Sequence, residues 1–429
     1  MTRGTIKAMI HPDSGRRALL IAAAVLSCAF ADRAIDPPLT SLREIPSPAM
    51  PGSAEANLAV GPSGRVYLSW INVLPDSSHA LRFSVLGGSS WSTPRTIASG
   101  RGWFVNWADF PSLLALDDRT LAAHWLVKRG RGWEDYDVHI ARSRDGGATW
   151  GAPVIPHRDG TESEHGFVSM WAGSRGTVGV IWLDGRKYAA AAAARARGDS
   201  TLVREMTLRA ATIGADGALS AETELDGRAC DCCQTAAAVT ADGPMVVYRD
   251  RSEHEIRDIY VVRLVNGSWT APQPVAEDGW EINACPVNGP AVAAAGRRAA
   301  VAWFTAARQT KRVRLAFSTD AGATFGSPIE VDDGRPVGRV GIVMLDDGAA
   351  IVSWLEEVGR GAEVRVRRIE PDGSRGPSMT VASSSAARPS GFPRMARAGE
   401  RVVFAWRDPE GGGVAQVHTA TARLPGPSR

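Results

Sequence analysis

Long apolar runs are missing from this chain beyond its N-terminus. No later segment reaches the roughly 18 uninterrupted apolar residues that a membrane-crossing helix needs. A charge surplus is missing as well. Four of the 49 Lys and Arg residues and one of the 46 Asp and Glu residues fall in the first 31 positions, so the remainder carries 45 of each sign. Nucleic acid is therefore excluded as the main partner, because phosphate binding needs a basic surplus. With 22% charged and 44% apolar residues, the chain is neither disordered nor fibrous. Glycine (45) and proline (26) are plentiful, which favours many turns over long helices.

The N-terminus reads as an export signal over residues 1–31. Arg16 and Arg17 precede the apolar run Ala18–Leu26, and Ala29-Phe30-Ala31 supplies a small-x-small cleavage site. A second cut is available before Cys28, where Val25-Leu26-Ser27-Cys28 resembles a bacterial lipoprotein signal that would place a lipid anchor on Cys28. Either way the expectation is an exported protein, periplasmic or extracellular, or an outer-membrane lipoprotein. Residues 32–429 then form the mature body, expected to be a monomer.

The body repeats one pattern. An apolar strand ending in an aromatic recurs at Trp70, Trp125, Trp182, Tyr248, Trp303, Trp354 and Trp406, with spacings of 55, 57, 66, 55, 51 and 52. A small-residue strand and a turn precede each copy, and a polar loop and two further strands follow. Four strands in about 50 residues, repeated, predict an all-β propeller. One twisted sheet cannot cover its own faces, so blades stack about an axis and the aromatics fill the gaps. Seven four-stranded blades are expected, with six as the alternative. The seventh lacks a fourth strand of its own, and the segment between Leu39 and Ile45 is expected to supply it and close the ring. Six consecutive alanines, Ala189–Ala194, predict a short helix in a loop of blade 3.

Two copies of S-x-D-x-G-x-T-W/F punctuate the repeat. Blade 2 carries Ser143, Asp145, Gly147, Thr149 and Trp150; blade 5 carries Ser318, Asp320, Gly322, Thr324 and Phe325. The Asp is expected to accept backbone N–H groups of its own turn, the Gly to take a positive φ and the aromatic to wedge between strands. These Asp boxes make the chain similar to the sialidase superfamily of BNR-repeat propellers over nearly its whole mature length. The resemblance implies a sialidase-like propeller that binds or acts on carbohydrate, as an exo-glycosidase of sialidase type. In that family three arginines clamp the substrate carboxylate, a Tyr–Glu pair supplies nucleophile and base, and an Asp supplies acid and base. The nucleophilic Tyr comes late in such chains; here the last tyrosine is Tyr260, and none is assigned that role.

Propeller geometry gathers the loops before each first strand and after each repeated aromatic at one mouth. Asp184, Asp250 and Glu164 are the candidate catalytic carboxylates there, since paired acids can cleave a glycosidic bond when their environments separate their pKa values. Arg186, Arg249, Arg251, Arg257, Asp109, His165 and Asn288 are the candidate ligand contacts, the arginines because a guanidinium grips carboxylate or sulfate bidentately. The same charges read equally as salt bridges tying blades together. The expected partner is a glycan or other acidic small ligand, with no cofactor; the alternative is a non-catalytic module binding glycan or protein on the same rim.

Apart from Cys28, the cysteines are Cys230, Cys232, Cys233 and Cys285, and both groups precede first strands of neighbouring blades. In an exported protein they read first as two disulfides. A thiolate site for copper(I) or zinc, or a redox pair, is the rival reading. No other metal site is assigned.

Overall fold

The computed structural model describes Met1 and residues 35–408 and 414–426; the export-signal reading, including Cys28, lies outside the described residues. From Ile35 onward the chain is a ring of seven antiparallel sheets. The second strand of each blade is a continuous apolar run because both of its faces are covered. Val66–Val73, Leu121–Lys128, Val178–Asp184, Gly243–Arg249, Arg298–Thr305, Ala350–Val358 and Arg401–Asp408 are those strands. The first strands lie next to the axis, where space is short, and several are correspondingly rich in alanine, as in Ala236–Thr240 and Ala291–Ala295. The outermost strands vary most in length, from the ten residues of Arg375–Ser384 in blade 6 downward. Blades 4 and 5 end in the two-residue strands Gln273–Pro274 and Ile329–Glu330. Blade 2 is a three-stranded sheet whose fourth position is reduced to an isolated bridge between Ile140 and Val154.

The seventh blade is completed from the other end of the chain. Thr40–Ile45 pairs antiparallel with Gln416–Arg423, with Glu44 opposite Ala420 and Ile45 opposite Thr419. This is the expected closure: it joins the two ends of the chain in one blade, with Thr40–Ile45 as that blade's outer strand. The apolar clusters span neighbouring blades, most of them two. Ile351, Leu355 and Val364 of blade 6 meet Val402, Phe404 and Trp406 of blade 7, for example, while Leu68 and Trp70 of blade 1 meet Ala405 and Val417 of blade 7. All seven repeated aromatics are buried.

A buried indole must also place its N–H. Trp70, Trp182 and Trp354 each donate to the residue two positions later, Asn72, Asp184 and Glu356, at 2.7, 2.8 and 2.6 Å. The polar residue after these aromatics is thus part of the blade's own construction. The predicted helix is present as α1 (Arg186–Ala196).

Both Asp boxes are built as expected in their hydrogen bonds. Asp145 accepts from the Thr149 N–H at 2.9 Å and from the hydroxyls of Thr149 and Ser143 at 2.6 and 2.8 Å, and Asp320 repeats this with Thr324 and Ser318. Gly147 and Gly322 take φ of +85° and +81°. The aromatics wedge between blades rather than between strands of one blade. Trp150 meets Phe83 of blade 1 edge-on at 6.2 Å, and Phe325 packs on the core that holds Met245 and Val247 of blade 4.

Gly147 is required for two reasons, its positive φ and a Cβ position only 2.3 Å from the Phe83 ring. Gly64 shares the conformation (φ +79°) but has open space around it. Gly64→Ala should cost about 1–2 kcal/mol, the left-handed penalty alone. Gly147→Ala should cost about 1–3 kcal/mol more through overpacking. Denaturant midpoints of the two variants check this, and equal losses would show that the box glycine is not a packing contact between blades.

Candidate functional site at the channel mouth

The first strands enclose an axial cavity of about 310 Å³, lined by residues from all seven blades. Three of these strands carry a bulge with a left-handed residue, Glu55, Phe167 and Arg339, which breaks the register and re-aims neighbouring side chains. Gln234 spans the mouth. Its Nε2 donates to the Ala108 carbonyl at 2.6 Å, and its Oε1 accepts from the Gly289 N–H at 3.0 Å. Arg394 lies over the Phe110 ring at 3.9 Å in the cavity wall, and burial pulls its pKa down to about 10.

The arginines expected to grip ligand are held by the protein itself. Arg249 is 1% exposed and stacks on Trp280. It donates to the carbonyls of Asn288, Arg257 and Phe304 at 2.6–3.1 Å, bolting blade 4 to blade 5. Asn288 continues the bolt: its side chain accepts from the Arg339 N–H and donates to the carbonyls of Pro286 and Val337. Arg186 is bidentate on Asp184 and also reaches Glu222. Arg251 is bidentate on Glu255, and Arg257 bonds Glu255 at 2.9 Å and the Cys230 sulfur at 3.3 Å.

Asp184 and His165 are sealed, each 0% exposed. Burial opposes ionisation of Asp184, but Arg186, His165 and the Trp182 N–H outweigh it and hold its pKa low. His165 stacks on His157 with ring centres 3.7 Å apart, between Asp159 and Asp137. Burial would lower the His165 pKa, yet Asp159, Asp184 and Asp137 raise it. His157, by contrast, is lowered by burial.

Glu164 and Asp109 are brought together by a residue the sequence did not single out. The hydroxyl of Tyr136 lies 2.7 Å from Asp109 Oδ2 and 3.0 Å from Glu164 Oε1. Asp109 also accepts from the Phe167 N–H at 2.8 Å. A phenol has one proton to give. Two carboxyl oxygens around it are both satisfied only if one carboxyl is itself protonated and donates back. Burial raises the Asp109 pKa to about 7. Burial, then Glu134 and Asp109, raise Glu164 well above the carboxylate range. Nothing in the primary sequence marks Tyr136, which opens an ordinary third strand.

A second acid pair bridges blades 3 and 4. Asp250 is raised to about 7 by burial and by Asp226, which also accepts the Tyr248 hydroxyl. Tyr188 of α1 donates to Asp231 at 2.8 Å, so the inserted helix reaches the cysteine loop. The four cysteines do converge from blades 4 and 5, but as free thiols rather than as two disulfides. Cys230 Sγ lies 3.3 Å from Cys233 Sγ and 3.8 Å from Cys232 Sγ, and Cys285 Sγ lies 3.9 Å from Asp231 Oδ1.

No protein-family model matches the chain, and no curated protein matches it. Solved structures do. The polysaccharide lyase Uly1 aligns over 86% of this chain and 90% of its own, with a TM-score of 0.51 and 9% identity. The GH93 α-L-arabinofuranosidase of Fusarium graminearum covers 90% and 98% with a TM-score of 0.49 at 13% identity. The NanB sialidase from Streptococcus pneumoniae covers 84% and 83% with a TM-score of 0.44 at 8% identity. Identities this low speak to fold alone. The likeness is one of fold, which in this chain is a seven-bladed β-propeller with two Asp boxes.

The buried ionic group between blades 2 and 3 has measurable consequences. Asp184→Ala leaves Arg186 half-paired and the Trp182 N–H without its acceptor, and should cost about 3–5 kcal/mol of stability. A loss under 1 kcal/mol in urea unfolding would refute this structural role. The His165 pKa is raised above its ordinary 6.5, so its contribution is complete below that value and lost as pH rises through the folded-state pKa. Asp159 and Asp184 are depressed below 3.8, so theirs is present above that value and lost in acid. His165→Gln should therefore flatten the alkaline limb of the stability profile. Parallel limbs in wild type and variant would show that His165 stays neutral.

Proposed function

We propose that this chain is a carbohydrate-active propeller that cleaves a glycosidic bond at its mouth, with Glu164 as the proton donor. The observation that carries this reading is the Asp109–Tyr136–Glu164 group, in which one phenolic proton serves two carboxyls. A carboxyl kept protonated near neutral pH is what a general acid for a leaving sugar oxygen needs. Glu164 is the half-buried member of the group, whereas Asp109 and Tyr136 are 2% and 0% exposed. Glu164 therefore meets substrate and the other two tune it. The engagement of Arg186, Arg249, Arg251 and Arg257 with protein partners favours a neutral sugar over a sialic acid. Asp250, with its own raised pKa, is the candidate second carboxyl on the blade 4 side. The neighbours of this fold include a lyase, an arabinofuranosidase and a sialidase. Export of the protein, read from residues 1–31, belongs to the same proposal.

Turnover of a panel of chromogenic glycosides, neutral and acidic, tests it. Glu164→Gln should lose about 10²–10⁴-fold in rate. The wild-type rate should fall as pH rises through the raised Glu164 pKa, and that limb should vanish in the variant. Neither turnover nor binding across the panel would sink the proposal. Binding that Glu164→Gln leaves intact, without turnover by wild type, would favour the non-catalytic module instead.

A further inference from the structure

The cysteine cluster is separate from the Asp109–Tyr136–Glu164 group and has no part in the proposed cleavage. Cys230 and Cys233 are each 1% exposed, Cys232 is half-buried and Cys285 is exposed. A sulfur-lined track thus leads from solvent to a closed floor. Sγ atoms of Cys230, Cys232 and Cys233 all lie within 4.8 Å of one another, and Cys232 and Cys285 share a second such group with Asp231. Thiolates about 2.3 Å from a tetrahedral metal sit about 3.8 Å apart, whereas a disulfide needs about 2.05 Å. The observed separations, 3.8 and 3.3 Å, suit an enclosed ion better than two crosslinks.

The surroundings are prepared for such an ion. Arg257 Nη1 donates to the Cys230 sulfur at 3.3 Å, a charge-assisted contact that offsets the negative charge of several thiolates around one cation. The Cys230 N–H is fixed by the Arg249 carbonyl at 2.9 Å, and Arg249 is itself bolted across two blades. The loop is therefore held in place from both sides before any ion arrives. Asp231 is engaged by Tyr188 and Arg257, which leaves Cys285 to complete the set.

We propose that Cys230, Cys232 and Cys233, with Cys285 as the solvent-side fourth ligand, hold one thiophilic d¹⁰ cation, copper(I) or zinc(II), between blades 4 and 5. Soft sulfur donors select such ions over magnesium or calcium. Each thiol that becomes a ligand releases its proton on binding, so uptake acidifies a weakly buffered solution. No electrons are exchanged in the step.

The test uses the full chain, isolated without air, with thiols trapped in one portion and left free in another. The free portion is titrated with zinc(II), copper(I) and magnesium(II) against a chromophoric chelator, with metal content by elemental analysis and proton release recorded. Expected are one ion per chain, proton release, and slower alkylation of Cys230 and Cys233 in the loaded protein. Cys232→Ser, at the half-exposed position least damaging to the core, should weaken binding at least about 100-fold, and Cys285→Ser about 10-fold. The tighter of the zinc and copper arms names the ion. Affinity for both no better than for magnesium would overturn the proposal. So would a Cys230–Cys233 disulfide in the portion trapped before exposure to air.

Discussion

The structure depends on burial between blades. Among the described residues, each apolar cluster takes side chains from at least two blades. The repeated aromatic ending each second strand supplies much of that buried area, and its size sets the distance between blades. Everything at the mouth follows from this spacing. Loops separated by fifty or more residues become neighbours because the strands feeding them are wedged apart by a fixed amount.

At the mouth, polar groups do the same work with hydrogen bonds. Arg249, Asn288, Gln234 and Arg339 reach across blade boundaries to backbone carbonyls and amides. A guanidinium has five donors in a rigid fork, so one Arg249 satisfies three carbonyls from distant segments at once. The result is a rigid rim in which Arg249, Arg186, Arg251 and Arg257 are engaged by protein acceptors, whereas Arg394 in the cavity wall keeps Nε and Nη2 without a hydrogen-bond partner among the described residues.

The repeat in the sequence foretold the ring well, including the closing strand and helix α1, because each blade must place a large aromatic at one position. The site was harder to read. Trp182-Leu183-Asp184 resembles a catalytic approach when taken alone; compared with Trp70-Ile71-Asn72 and Trp354-Leu355-Glu356 it is an indole acceptor. That comparison was available in the sequence. Tyr136 was not, because its role comes from two loops, those of Asp109 and Glu164, that meet only in three dimensions. The cysteines fell in between: adjacency of blades 4 and 5 brought them together in prospect, while their mutual distances required coordinates.

The closing strand carries a consequence for biogenesis. Thr40 and Arg423 meet across 383 positions of sequence. During synthesis the strand that completes blade 7 emerges first and must wait for the final one. Until they pair, the sheet holding Gln416–Arg423 lacks its outer strand, and the apolar side chains with which blades 1 and 7 cover each other, Leu68 and Trp70 among them, stay exposed to other chains. Six finished blades would thus still be a sticky crescent, open at both ends until the circle shuts.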